Sequence, residues 1–282
     1  MNNLGYYNGQ IGLIEDIRIP MEDRACWFGD GVYDASVCAN FTIFMLKEHI
    51  DRFYKSAELI QIKLPFSKQE LEDLLKSLVK KLDSPYQTVF WQATRSTQPR
   101  SHAFDENLKP NLWIMIRPEV RKDFYKKLRL ITVEDTRYFH CNIKTLNLLP
   151  NVLAKQKAVK EGCDEAVFCR NNIVTECAHS NIHIIKEGIF KTAPTGNLIL
   201  AGIARANLIK YCRILNIPVQ GVHFTIDEMM NADEVIISSS SAFAMSISHI
   251  NNKPIPSKAP DILAALQKAA IKDFQNYTGF IF

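Results

Sequence analysis

The sequence contains no apolar run that reaches the ~18 residues of a membrane-spanning helix. Its first ten residues hold no basic segment that leads into an apolar one, as a secretory signal would. The seven cysteines are odd in number and include no C-x-x-C pair, which argues against a disulfide framework. From these absences we expect a cytoplasmic protein with reduced thiols.

The sequence also has little excess of charge of either sign. Its formal net charge is only +4, and most basic residues are interleaved with acidic ones. A nucleic-acid-binding protein normally concentrates its lysines and arginines in one patch. We therefore expect neither a nucleic-acid partner nor a membrane partner. At 47% hydrophobic and 23% charged residues, the composition is that of an ordinary globular protein, and 282 residues suffice for two modest domains.

The chain has no internal repeat and no regular alternation of strands with helices. Apolar periodicity predicts strands within 11–19, 31–46, 87–96, 111–117, 128–134, 164–170, 172–176, 181–192 and 234–239. It predicts helices at 47–62, 67–82, 151–161, 203–215 and 260–276, the second opened by a Ser67–Glu70 capping box. Strands in hairpins with interspersed helices favour an α+β fold. A charged stretch at 118–127 suggests a boundary between a small N-terminal domain, 1–119, and a larger C-terminal domain, 120–282.

Lys144 differs from the other lysines in its surroundings, since Ile143, Leu146, Leu148 and Leu149 flank it in a segment that reads as extended. A lysine that aliphatic neighbours remove from water loses its preference for the charged form and becomes a nucleophile. That property suits Schiff-base chemistry. On spacing alone, a lysine that extends its ammonium to solvent is the commoner explanation.

Three further features of the sequence favour the interpretation of Lys144 as a nucleophile. Glu176 stands at the end of a short strand, where a carboxylate can point into a cleft. Gly202 precedes an amphipathic helix whose free N–H groups suit a phosphate, and the serines at 238–241 follow an apolar strand. Arg52 lies off the apolar face of its helix. A lysine, an acid and an anion site are the three groups that pyridoxal phosphate chemistry requires.

Seven segments in order resemble one family: FGDGVYD, EHIDRFYKSAE, TRSTQPRSHAF, IKTLNLLPNVLAKQ, RNNIVTE, SNIHIIKEG and LAGIAR. The chain is similar to the fold-type IV pyridoxal phosphate aminotransferases, and within them to the D-amino acid aminotransferases. The resemblance implies an α+β fold with a small N-terminal α/β domain and a larger cofactor-binding domain built on a β-barrel-like core. It also implies transamination between a D-amino acid, such as D-alanine, and a 2-oxo acid.

The resemblance implies that Lys144 forms the Schiff base and carries the proton, that Glu176 pairs with the pyridine nitrogen, and that Leu200 backs the cofactor ring. The residues it places at the phosphate are Arg52, Ile203 and Ala204 through their amides, Ser239 and Ser240. The residues it places at the substrate are Tyr33, Arg100, His102 and Arg137. In this family the arginine and histidine of the R-x-H pattern come from the partner subunit, so a homodimer is implied.

This sequence departs from the family pattern at two points. Ala204 stands where a hydroxyl residue is usual, and Ala178 with His179 replaces a serine-rich stretch. Cys177 follows the glutamate, as in the related aminodeoxychorismate lyases, which keeps a lyase as the first alternative. A branched-chain L-amino acid aminotransferase and a non-catalytic cofactor binder are further alternatives. His179 and His183 have no third ligand nearby in sequence, so we expect no metal site.

Overall fold

The computed structural model describes residues 1–121 and 123–281. They divide into two compact units. The first comprises Met1–Arg121, Ile143–Asn147 and the segment from Phe274 onward, and the second comprises the segment that ends at Asn142 together with Leu148–Asp273. The predicted domains were two continuous segments, whereas the structure assigns the short stretch containing Lys144 to the first unit. No helix in the described ranges has the length and apolar composition to cross a bilayer.

The first unit is built on a six-stranded sheet of the described residues, in the order β2-β1-β6-β5-β3-β4, with every neighbouring pair antiparallel. Its strands are β1 (Leu4–Tyr7), β2 (Gln10–Gly12), β3 (Gly31–Ala39), β4 (Thr42–Ile43), β5 (Tyr86–Thr94) and β6 (Asn111–Pro118). Its helices are α1 (Arg24–Phe28), α2 (Leu46–Leu59) and α3 (Lys68–Val79).

The core of the first unit lies between this sheet and α2 and α3. Ile50 and Phe53 of α2 cluster with Leu71 and Leu75 of α3 and with Trp91 of β5, and all five side chains are buried. Burial of a side chain of this size contributes about 1.5 to 3 kcal/mol. Helix α2 packs on β3, so a residue on the sheet-facing side of α2 meets the middle of that strand.

The second unit is built on a nine-stranded sheet of the described residues, in the order β12-β11-β10-β13-β14-β7-β8-β9 with β15 beside β14. Its strands are β7 (Leu128–Glu134), β8 (Glu165–Arg170), β9 (Ile173–Cys177), β10 (Asn181–Lys186), β11 (Ile189–Thr192), β12 (Val219–Gly221), β13 (Glu234–Ser238), β14 (Met245–Ile250) and β15 (Lys253–Pro254). Its helices are α4 (Leu149–Lys160), α5 (Ile203–Ile214) and α6 (Ile226–Met230), and α7 (Pro260–Thr278) passes from the second unit into the first.

Two central strands of the second unit, β10 and β13, are buried almost throughout. Ile182 and Ile184 of β10 cluster with Val235 and Ile237 of β13. At one end of this pair the apolar residues give way to polar ones, where Asn181 and Ser238 are cross-strand partners. This end of the sheet carries part of the site described below.

Most predicted elements are present within two or three residues of their predicted bounds. The hairpin turns between β8 and β9 and between β10 and β11 have the left-handed backbone that such turns require, with φ of 48° and 67° at residues 171 and 172 and of 52° and 75° at 187 and 188. The strand predicted for 11–19 is wrong, since the chain has only β2 and then a 3-10 turn at Ile14–Asp16. The Asn3 side chain accepts a hydrogen bond from the Ile14 amide at 2.8 Å, which ends the strand pairing.

Candidate active site

Two neighbouring elements fix the backbone of Lys144 inside the first unit. The Lys144 carbonyl accepts a hydrogen bond from the Tyr33 amide of β3 at 3.0 Å, and the Lys144 amide donates to Ser56 Oγ of α2 at 3.2 Å. Gly31, at the start of β3, permits this approach because a Cβ there would lie 2.8 Å from Leu146 and 2.6 Å from a β5 carbonyl. The lysine backbone is therefore held from both sides.

The side chain of Lys144 is half-buried rather than enclosed by aliphatic groups. Its Nζ lies 4.3 Å from the centroid of the Tyr33 ring, which stacks on Phe90 at 5.2 Å. Leu148 and Leu149, which the sequence suggested as apolar neighbours, are exposed, and Leu149 begins α4. The structure thus gives the lysine an aromatic neighbour and leaves its amine within reach of a ligand.

Arg52 does not lie on a solvent face, because only 12% of its side chain is exposed. Its Nε and Nη2 donate to the two carboxylate oxygens of Asp34 at 2.9 and 2.7 Å, and His49 Nδ1 lies 2.8 Å from the same carboxylate. Burial alone would raise the pKa of Asp34, but the charge of Arg52 and the hydrogen bonds from Arg52 and His49 hold it well below its usual range. The ionised carboxylate therefore orients Arg52, whose contact with a phosphate stays a prediction.

His49 connects this cluster electrostatically to the lysine. Burial lowers the pKa of His49, while Asp34 opposes that effect and the positive charges of Arg52 and Lys144 add to it. A neutral imidazole is the outcome near pH 7, since the usual histidine pKa is ~6.5. A change in the charge of Lys144 is thus felt by a buried group on α2.

Arg100 and His102 meet at one aromatic ring. The Arg100 guanidinium lies 5.3 Å from the centroid of Phe28, and the His102 ring lies 5.1 Å from the same centroid. Both side chains are exposed. The structure brings together the two residues of the R-x-H pattern, although their role in binding a substrate stays a prediction.

Glu176 is the centre of a hydrogen-bond network in the second unit. Its Oε1 accepts from Arg137 Nη1 at 2.5 Å, and its Oε2 accepts from Asn181 Nδ2 at 3.1 Å and from the Leu200 amide at 3.0 Å. The carboxylate is 6% exposed, so these donors replace the water that it loses on folding. Glu176 and the backbone of Leu200, both predicted at the cofactor ring, are therefore fixed together.

The contacts of Arg137 favour a role different from the predicted one. Its Nε and Nη2 donate to the Asp135 carboxylate at 2.9 Å each, while Nη1 donates to Glu176, and the guanidinium stacks 4.3 Å above the Phe168 ring. Such a fully engaged, buried cation positions Glu176. Direct binding of substrate by Arg137 stays a prediction that these contacts do not support.

The N-terminus of α5 and the end of β13 carry the residues predicted to bind the phosphate, apart from Arg52. No side chain among the described residues caps α5 at Gly202, so the first amides of the helix, at Ile203 and Ala204, have no side-chain acceptor. A Cβ on Gly202 would lie 2.0 Å from Asn181 Oδ1, so only glycine fits beside the residue that is paired with Ser238. The helix start and the strand end therefore adjoin.

Ser239 supplies the test of whether these residues fit a phosphate group. Its Oγ is buried and has no hydrogen-bond partner within the described part of the chain. A buried hydroxyl without a partner costs free energy unless a ligand or water bonds it. Uncapped helix amides and a free buried hydroxyl are the donors that a phosphate needs, so the residues present fit the cofactor. Ser240 is half-buried at the same turn.

His179 and His183 have different partners. His179 pairs with the buried carboxylate of Glu165. His183 is buried between Thr192 Oγ1 at 2.9 Å and Ser238 Oγ at 2.8 Å. Among the residues that the structure describes, no group of three metal-ligating side chains occurs.

Sequence reasoning missed Asp34 and Asp135, the acidic partners of Arg52 and Arg137, as well as His49 and Asn181. Asp34 carries a usable signal, since it is a charged residue in the middle of an otherwise apolar strand. His49 and Arg52 are also three apart and so share one side of a helix. Asp135 and Asn181 show no such signal, because ordinary strand ends and loops contain the same residue types.

The chain is similar to known proteins of one family. Residues 31–250 match the family model described as amino-transferase class IV. The D-alanine aminotransferase of Listeria monocytogenes serotype 1/2a is 38% identical over 94% of each chain, and that of Staphylococcus epidermidis is 37% identical over 97% of this chain and 98% of its own.

A branched-chain amino acid aminotransferase from T.th., solved with pyridoxamine 5'-phosphate, superposes with a TM-score of 0.88 at 25% identity, covering 98% of this chain and 94% of that one. The Escherichia coli branched-chain amino acid aminotransferase has the same fold, with a TM-score of 0.89 at 18% identity over 99% and 96% of the two chains. These findings confirm the predicted fold-type IV architecture and pyridoxal phosphate-dependent aminotransferase chemistry, and the chain belongs to the class IV aminotransferase family.

Proposed function

We propose that the protein transfers an amino group between a D-amino acid, such as D-alanine, and a 2-oxo acid. The observation that carries this proposal is the set of D-alanine aminotransferases that are 36% to 39% identical to this chain over nearly its whole length. Lys144, Glu176 and the phosphate-site residues other than Ala204 match the pattern that the resemblance to the fold-type IV family implies. The family supports the reaction class, which is transamination. The D-alanine aminotransferases among the relatives support the D-configuration of the substrate.

Pyridoxal phosphate, when bound, supplies an aldehyde that takes up the amine and a ring that accepts the electrons of the broken bond. Lys144 Nζ is the group that removes the α-proton of the amino acid. It returns the proton in a later step of the reaction. Its position over Tyr33, with its backbone fixed by β3 and α2, limits the directions from which a proton can reach it. A fixed base favours one hand of substrate.

Glu176 holds a negative charge for the pyridine nitrogen, and Arg137 with Asn181 prevents the carboxylate from turning away. The amides of Ile203 and Ala204 with the hydroxyl of Ser239 bind the phosphate. Arg52 and Ser240 complete the phosphate site in this proposal. Because Ala204 has no hydroxyl, one hydrogen bond typical of the family is missing and the affinity for the cofactor is correspondingly reduced.

The substrate carboxylate is bound by Tyr33, Arg100 and His102. An amino acid directs its amine to the cofactor and its α-hydrogen to Lys144, so the position of the carboxylate fixes the hand. Arg100 dominates, because a guanidinium can grip a carboxylate through two parallel charge-assisted hydrogen bonds. The exposure of Arg100 and His102 suits donation to the partner subunit of a homodimer.

We also propose a cytoplasmic location, which the seven free cysteines support because thiols persist in a reducing compartment. Cys177 does not favour the lyase alternative. It is 1% exposed and packs in the apolar cluster of the second unit, and burial raises its pKa well above the usual value. A neutral, enclosed thiol is a packing group.

The test measures pyruvate formation from D-alanine with 2-oxoglutarate, in purified protein supplied with pyridoxal phosphate. L-Alanine and L-leucine serve as parallel substrates, since the solved neighbours are branched-chain aminotransferases. The proposal predicts turnover of D-alanine and little of either L-amino acid. Faster turnover of L-leucine would assign the protein to branched-chain amino acids.

A further inference from the structure

The loop of residues 98–104 carries Arg100 and His102. Its residues 99–103 are exposed, but its backbone is anchored. The Gln98 amide donates to the Glu22 carbonyl at 3.1 Å, which fixes the start of the loop. In the middle, Arg24 Nη1 donates to the Ser101 carbonyl at 2.6 Å and Nη2 to the His102 carbonyl at 3.4 Å. One guanidinium therefore holds two successive carbonyls.

Arg24 is itself held rigidly, because it is 3% exposed and its Nε donates to Asp30 at 2.7 Å. Asp30 also accepts from Arg95 Nε at 2.8 Å. The remaining nitrogens of Arg95 donate to carbonyls that follow α2, at Ile60 at 2.7 Å and Gln61 at 3.1 Å. The loop is thus tied through two buried arginines and one carboxylate to the helix that carries Arg52.

The far end of the loop is fixed by its aromatic residue. The Phe104 ring lies 3.8 Å from the Arg95 guanidinium and 5.8 Å from that of Arg24. Arg24 also lies 4.9 Å from the Phe28 ring, which contacts both Arg100 and His102. The Ser101 and His102 carbonyls therefore face Arg24, while the exposed side chains of Arg100 and His102 contact the Phe28 ring.

We propose that Arg24 is a positioning residue for substrate recognition: by binding the Ser101 and His102 carbonyls, it presets Arg100 and His102 for the substrate carboxylate. This inference rests on the proposed role of those two residues. A preset loop loses little conformational freedom when substrate binds, which strengthens binding without altering the chemical step. Nothing in the geometry requires Arg24 to touch the substrate.

The experiment compares Arg24→Met and Arg24→Lys with Arg117→Met, an exposed arginine on β6 of the same unit. For Arg24→Met we expect a rise in KM for D-alanine of about 10- to 100-fold, with kcat at saturating substrate nearly unchanged. Lysine can bind one carbonyl but cannot fork between two, so Arg24→Lys should lie between wild type and Arg24→Met. Arg117→Met should behave as wild type.

Amide hydrogen exchange supplies a readout that is independent of activity. In both Arg24 variants, exchange should accelerate in residues 98–104 and remain unchanged in α2 and α3. Unchanged exchange in the loop, or equal acceleration throughout the first unit, would overturn the positioning role. An equal fall in kcat and kcat/KM would do the same.

Arg100→Met separates this inference from the proposed function. If Arg100→Met raises KM and Arg24→Met does not, the positioning role is wrong and the carboxylate site stands. If Arg100→Met leaves KM unchanged, the carboxylate site itself is wrong.

Discussion

Replacement of Arg137 by glutamine should destabilise the second unit strongly, because Arg137 neutralises two buried carboxylates. Asp135 is 5% exposed and Glu176 is 6% exposed, and both accept hydrogen bonds from the same guanidinium. Removal of one partner from a buried ion pair costs about 3 to 5 kcal/mol. Arg170 Nη2 remains 3.4 Å from Asp135, so we expect the lower end, about 3 kcal/mol.

The loss should depend on pH. Burial raises the pKa of Asp135, but the hydrogen bonds and charge of Arg137 lower it more, so the net shift is downward. A lowered carboxyl pKa stabilises the fold above the unfolded value of ~3.9, and this contribution is lost as the pH falls through the folded value. Without Arg137, fewer interactions oppose the rise in pKa that burial causes, so the pKa of Asp135 moves upward. The difference between wild type and variant should therefore be largest near pH 7 and shrink toward pH 4.

Urea unfolding followed by circular dichroism at pH 7.5 and pH 5.0 measures both effects. Arg213→Gln is the control, since Arg213 is an exposed residue of α5. An unchanged unfolding midpoint at pH 7.5 would refute the neutralising role of Arg137. A loss of stability that grows as the pH falls would refute the sign of the pKa argument.

Three further predictions concern single residues. Lys144→Ala should leave a folded protein whose transamination rate falls by at least about 1000-fold, and an active variant would mean that another lysine is the base. Gly202→Ala should weaken pyridoxal phosphate binding in a fluorescence titration, because its Cβ would displace Asn181, whereas Gly196→Ala, with open space around it, should not. His183→Gln should make stability less sensitive to acid. Burial and the charge of Arg205 lower the pKa of His183 to about 3, so wild-type stability is lost as the pH falls below ~6.5; equal acid sensitivity in urea unfolding would contradict this assignment.

Local patterns were sufficient to predict much of the fold. The Ser67–Glu70 capping box forms as predicted, and the apolar spacing in 47–62 corresponds to α2. These features depend on residues close together in sequence. The predicted strand at 11–19 failed because the side chain of Asn3, 11 residues before Ile14, ends the pairing.

The site was less accessible to sequence reasoning because its partners come from distant segments. The carboxylate that orients Arg52 lies 18 residues earlier, and Glu176 is 39 residues from the arginine that holds it. Neither pairing leaves a periodic signal. The assignment of Lys144 to the first unit likewise depends on contacts with β3 and α2 rather than on its own neighbours in sequence.

The most direct test of the central claim follows the α-proton itself. The protein with pyridoxal phosphate is incubated in D₂O with D-alanine or with L-alanine, in the absence of any 2-oxo acid, and the α-hydrogen signal is followed by NMR. If Lys144 is the base and the site selects the D-enantiomer, D-alanine should lose this signal, L-alanine should keep it, and Lys144→Ala should abolish the exchange. Exchange of L-alanine at an equal rate, or exchange that persists in Lys144→Ala, would contradict the account.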